Sequence, residues 1–280
     1  MRMIKVFSLM VGALLSVEAM AQQVPSSVDS SPSVRPIPDH DVLFKKTVWR
    51  KIDLREKQNK PMFSENRQIT KIIIDAVKSG ELIAYRSDTL ATPITQAEFV
   101  QRMTPSGSQE ATPEDEIFKT QPDDDPWGAV VSENTGPVAP VSMEYFPKDL
   151  YLLELKEDLI FDKKRSRMYH DIQAISIKVP STLSAKGFEE HVASFKMSDL
   201  ARVFKNNPES AIWYNPRNEA QHKNLAEAFE LWLFSSYITK ISNPGNQGLG
   251  DIYGPGQKSL LAAQEAAEAL IEYEYSLWSY

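Results

Sequence analysis

The chain contains no cysteine. That absence removes disulfides, thiolate catalysis and every cysteine-based metal site together. A fold of this size must then be held by a conventional core. Histidine is scarce as well: His40, His170, His191 and His222 are spread along the chain. None lies within a helical turn of another and no HExxH spacing occurs, so no local metal motif is present. Basic residues are in the minority, 31 against 38 acidic, for a net charge of -7. That balance argues against a nucleic-acid binder, whose affinity comes from neutralising phosphates. It also leaves no polybasic patch for an anionic membrane surface. Long apolar runs are missing beyond the first twenty-odd residues, where stretches such as Leu231–Phe234 are far short of the roughly 20 residues that a spanning helix needs.

Catalytic signatures are missing too. There is no GxSxG or SxxK serine site, and Ser235-Ser236 lies in an apolar, tyrosine-bearing run that reads as core. Asp123-Asp124-Asp125 lacks the alternating oxygen ligands, central glycine and closing glutamate of a calcium loop. Gly245 to Gly256 is glycine-rich and precedes a helix, but no glycine stands directly before Lys258, as a phosphate cradle would require. Glu154 and Glu157 could pair as acid and base, yet acidic residues on an exposed strand face are ordinary. These observations predict a chain that is not an enzyme and has no catalytic, cofactor-binding or metal-binding residues.

The N-terminus carries the clearest positive signal. Arg2 and Lys5 precede an uncharged run from Val6 to Val17, and Ala19-Met20-Ala21 follows with small residues at the positions that a signal peptidase reads. This is the layout of a secretory signal peptide, with cleavage expected after Ala21. The position that an exported lipoprotein would fill with cysteine holds Gln22, so any membrane association is expected to run through a partner protein. Removing Arg2, Lys5 and Glu18 takes away two positive charges and one negative, and the remainder stays acidic.

Beyond the leader (1–21), residues 22–40 read as a disordered linker, with Pro25, Pro32, Pro36 and Pro38 among serines. Residues 41–103 read as a helical or mixed region. Asp41 can cap a helix bearing Leu43, Phe44, Val48, Trp49 and Ile52, although alternation from Thr47 to Leu54 also suits a strand. Ser64 is expected to cap a second helix with Ile69, Ile72, Ile73 and Val77 as its stripe and Gly80 as its stop. Leu82 to Tyr85 reads as a short strand. Thr95-Gln96-Ala97-Glu98 is a capping-box pattern for a third helix, running to about Met103.

Residues 104–141 read as a disordered, acidic, proline-rich insertion in which Trp127 reads as a tryptophan in an unstructured loop, with a docking point as the alternative. Residues 142–280 read as an α+β region. Asp149 to Phe161 and Met168 to Val179 are strand-like and joined by the charged tip Asp162 to Ser166, which predicts an antiparallel hairpin. A helix from Ser198 to Phe204, another from Leu225 to Leu233, a strand from Ser235 to Ile241 and a terminal helix from Gln257 complete the pattern. The fold class expected is α+β: helices with a small antiparallel sheet.

Large aromatics lie at element ends, and they anchor cores and interfaces alike. Trp49, Arg55, Tyr237, Trp278 and Tyr280 are the candidate residues for a protein interface or for docking of the tail.

Three segments, VWRKIDLREKQNKP from Val48 to Pro61, FSSYITK from Phe234 to Lys240 and the ending YEYSLWSY, resemble the GldN/PorN family of gliding-motility and type IX secretion proteins of the Bacteroidota. The resemblance runs from about Asp41 to Tyr280. It implies a non-catalytic structural subunit of a periplasmic ring, assembling with a GldK/PorK-like outer-membrane lipoprotein and with further copies of itself. Contacts with inner-membrane motor components are also implied, and no cofactor is. The alternative expectation is a periplasmic ligand-binding or adaptor module unrelated to secretion.

Overall fold

Val42–Asp53 forms a strand, β1, in the computed structural model, which describes residues 31–105 and 144–278. The helix expected from Asp41 is thereby corrected. That helix would have put Val48 and Trp49 on one side, whereas the strand sends them to opposite faces. β-branched Thr47, Val48 and Ile52 favour the pleat. Pairing decides the matter, because β1 hydrogen-bonds along most of its length to a later strand. The stop at Gly80 is seen with φ +80 after α1 (Ile69–Lys78). The start differs: Ser64 instead joins a two-residue hairpin, β2 (Phe63–Ser64) with β3 (Arg67–Gln68), and α1 begins after Gln68.

Thr95 caps α2 (Gln96–Arg102) by accepting the Glu98 amide N–H. The Glu98 carboxylate bonds Arg86 and Arg102 at 2.8 and 2.9 Å. Of the expected strand Leu82 to Tyr85, Tyr85 pairs with Ser194 in both directions, at 2.8 and 2.9 Å.

β4 (Leu152–Asp162) and β5 (Arg167–Val179) form the expected hairpin, and Asp162 accepts the backbone N–H groups of Lys164 and Arg165 at its tip. β6 (Glu190–Lys196), not anticipated from the sequence, pairs with β5 and leads into α3 (Met197–Asn206). After the short pair β7 (Ile212–Trp213) and β8 (Lys223–Asn224), α4 (Leu225–Glu230) is capped by Asn224. β9 (Tyr237–Ile241) returns to the far side of β1. α5 (Leu249–Tyr253) and the long α6 (Gln257–Leu277) close the chain. The main sheet runs β6-β5-β4-β1-β9 with every neighbour antiparallel. The fold is α+β, as expected. The acidic insertion and Trp127 lie outside the described residues.

One face of the β1–β4 pair carries two apolar clusters in line. Ile52, Leu153 and Leu155 belong to the larger, beneath α1, α3 and α4. Val48 and Leu159 belong to the smaller, which takes Ala263, Ala266, Ala267 and Leu270 of α6. Continuous pairing from Phe44↔Phe161 to Asp53↔Leu152 keeps these residues on the same face. Between the clusters sit Arg50 and Glu157. Their charged groups lie 2.5 Å apart, with the glutamate side chain fully buried and the arginine 14% exposed. His170 Nδ1 lies 3.2 Å from the other glutamate oxygen and its ring packs on Trp232.

The part of the expected linker from Ser31 onward differs from expectation. It forms no strand and only a single 3-10 turn, Asp39–Asp41, at its end, and its polar groups find partners. The Pro32 carbonyl accepts the Ser198 amide, and Ser33 Oγ donates to Asp171 at 2.6 Å. Burial raises the Asp171 carboxyl above the usual aspartate value, against the hydrogen bonds from Ser33 and Gln173.

Candidate interaction site

Register places two of the candidate residues together. Trp49 lies opposite Lys240, and Lys51 opposite Tyr237, so Trp49 and Tyr237 share the face of β1 and β9 that points away from the two apolar clusters. Lys240 Nζ stands 4.1 Å from the centroid of the Trp49 ring, a cation–π contact. The Trp49 indole N–H donates to Asp88 at 2.7 Å, from a loop that crosses this face. The Lys156 ammonium donates to the Asp88 carbonyl at 3.1 Å. Lys51 pairs with Glu189, and Lys178 with Glu154 at 2.7 Å. The face is a half-buried lattice of alternating charges around one indole.

Burial raises the Asp88 carboxyl, but the Trp49 N–H and the positive charges of Lys156 and Lys240 outweigh it and hold the group below the usual aspartate range. An acid depressed in the folded state contributes stability above its unfolded value, and that stability is lost as pH falls through the folded value. Acidification from about pH 5 to pH 2 should therefore free the Trp49 indole and shift the tryptophan fluorescence. Asp88→Asn should remove that component. Superimposed curves for the two proteins would show that Asp88 does not control Trp49.

The other candidates lie elsewhere. Arg55 follows the end of β1, where it forms a two-pronged pair with Asp53 and stacks its guanidinium 3.4 Å above the centroid of the Tyr151 ring. Trp278 packs edge-on against Phe161 at 6.2 Å, beside Phe44 and Tyr273 at 4.6 Å. The Phe44↔Phe161 and Asp53↔Leu152 pairs bracket the sheet, so Arg55 and Trp278 belong to opposite ends, roughly 30 Å apart by strand rise. Tyr280 lies outside the described residues.

The polar side chains nearest to a reactive arrangement are engaged by other groups. His191 Nε2 contacts Ser194 Oγ at 2.9 Å, but Ser194 is wholly buried and also bonds Ser176. Burial, with the positive charge of Lys178, lowers the His191 value below that of a free imidazole. Glu154 and Glu157 point to opposite faces, and each is bound to a cation. Among the described residues no helix is long and apolar enough to cross a membrane, and no group of His, Asp and Glu could hold a metal ion.

A feature not recognised in the sequence is the outer side of α6. Ala263, Ala266, Ala267 and Leu270 face the sheet. Leu260, Leu261, Ile271 and Tyr275 lie on another side and are each more than half exposed. Both sides could have been read from the 3.6-residue period. A helix with two apolar sides has one more than its own fold uses.

No curated protein matches the chain. The family model for the gliding motility associated protein GldN matches residues 37–279, most of its length, and the chain belongs to the GldN family.

Proposed function

We propose that the chain is a non-catalytic structural subunit of the periplasmic ring of the type IX secretion and gliding-motility machinery. In this reading the leader is removed after Ala21. A GldK/PorK-like lipoprotein holds the subunit at the outer membrane, further copies complete the ring, and the inner-membrane motor components are additional partners. Family membership places the chain with gliding motility, and GldN is not a known enzyme family. The observation that carries the structural role is α6, which spends its alanine side on the sheet and leaves Leu260, Leu261, Ile271 and Tyr275 exposed. Such a surface suits a neighbour in an assembly.

The test is affinity purification of the tagged full chain from gently solubilised envelopes, followed by mass spectrometry. An outer-membrane lipoprotein in near-constant proportion to the chain is the expected result. Repeated recovery of the chain without any lipoprotein would overturn the reading.

A further inference from the structure

β6 pairs with β5 opposite Ala174–Val179 and no further, because the chain leaves the sheet at Met197 to form α3. The rest of β5, from Arg167 to Gln173, hydrogen-bonds to β4 on one side and has no described strand on the other. A cleft of about 520 Å³ lies there. Tyr169, His170, Asp171 and Ile172 all line it. Successive residues of a strand point to opposite faces, so four in a row line one cleft only when it follows the strand's edge. Leu231, just after α4, is the exposed apolar side chain of the lining, at 54%, while Met197 and Ala201 of α3 and Phe229 of α4 contribute buried side chains, and Val34 to Pro38 flank the opening. Pro36 and Pro38 have no N–H to donate. Among the described residues no backbone hydrogen bond joins this segment to β5.

Four cations, Arg35, Arg165, Arg167 and Lys205, line the cleft against two carboxylates, Asp171 and Glu230. Arg35 and Arg165 have carboxylate partners in Glu230 and Asp162. Arg167 rests 5.7 Å from the centroid of the Tyr169 ring, and neither it nor Lys205 forms an ion pair with a described residue. An open edge offers backbone donors and acceptors that another backbone satisfies best.

We propose that the Arg167–Gln173 edge accepts an extended acidic segment of a partner protein as an added antiparallel or parallel strand. Apolar side chains at alternate positions meet Leu231, the exposed apolar residue of the lining. Acidic ones face the side that carries Arg167, where the Asp171 carboxylate is already engaged by Ser33 and Gln173, and Lys205 adds to the attraction. The inference does not rest on assembly into a ring.

The probes are the blocked peptide Ac-EVEVEVE-NH2, its lysine counterpart Ac-KVKVKVK-NH2, and the acidic peptide methylated at alternate backbone nitrogens. Binding to the purified full chain is read by titration, and amide hydrogen exchange reports on residues 167–173. The acidic peptide should bind and slow exchange within that stretch. Backbone methylation should weaken it at least tenfold. The exposed double substitution Arg167→Glu/Lys205→Glu should reverse the preference between acidic and basic peptides without altering the fold. Binding that is indifferent to methylation and leaves exchange at 167–173 unchanged would be charge adsorption and would overturn the proposal. So would no saturable binding up to about 1 mM.

Discussion

Replacing Arg50 with alanine should lower stability by about 3–5 kcal/mol, which is the usual cost of stranding one member of a buried ion pair. Glu157 is fully enclosed and its nearest cation is the Arg50 guanidinium, 2.5 Å away. His170 is its other polar neighbour, at 3.2 Å, and is itself 40% exposed. Without the guanidinium, the enclosed carboxylate keeps only the half-exposed His170 ring beside it. For a chain of this size the loss corresponds to a fall in melting temperature of roughly 10 °C. The double variant Arg50→Met/Glu157→Leu should recover most of it, because replacing both charges extends the flanking apolar clusters into one. Urea unfolding of the three proteins makes the comparison. An Arg50→Ala protein within about 1 kcal/mol of the parent would behave as an exposed pair does, and the enclosed site described here would be wrong.

Changing Leu260, Leu261, Ile271 and Tyr275 together to serine or glutamine should leave the monomer folded and remove it from the assembly. These side chains are already more than half exposed, so the fold loses little. In an interface each would contribute about 1 kcal/mol through its remaining burial. Four together would then weaken association by roughly a thousandfold. The expected result is an unchanged circular dichroism melt with the protein recovered from envelopes at monomer size. A variant that still elutes with the lipoprotein in a high-mass particle would show that this side of α6 is not the contact. Truncation before Glu274 removes Tyr275 alone of these four. It also removes Trp278 from Phe161, so it should reduce stability as well as assembly.

Elements with strong local signals were legible in the sequence. Ile69, Ile72, Ile73 and Val77 fix α1, Gly80 ends it, and Thr95 caps α2. The β4–β5 hairpin followed from its apolar runs and charged tip. Residues whose role is set across the sheet were less legible. β1 carries both helical and alternating patterns, and its pairing with β4 and β9, distant in sequence, selects the second. β6 gives no clear signal in the sequence, because Ala193 and Ser194 make its centre small and weakly apolar, though both are buried. The grouping of Trp49 with Tyr237 depends on the β1–β9 register, and the Arg50–Glu157 pair on the β1–β4 register. Neither follows from local spacing. Ser33 likewise read as part of a polar linker, because nothing local announces its bond to Asp171.

The central claim, that this chain is a structural subunit of a ring, is tested most directly by electron microscopy of the particle purified from envelopes through the tagged chain. The account predicts closed rings in which this chain and an outer-membrane lipoprotein are both present in many copies. Isolated monomers under gentle extraction, with no ring and no lipoprotein in the same eluate, would contradict it.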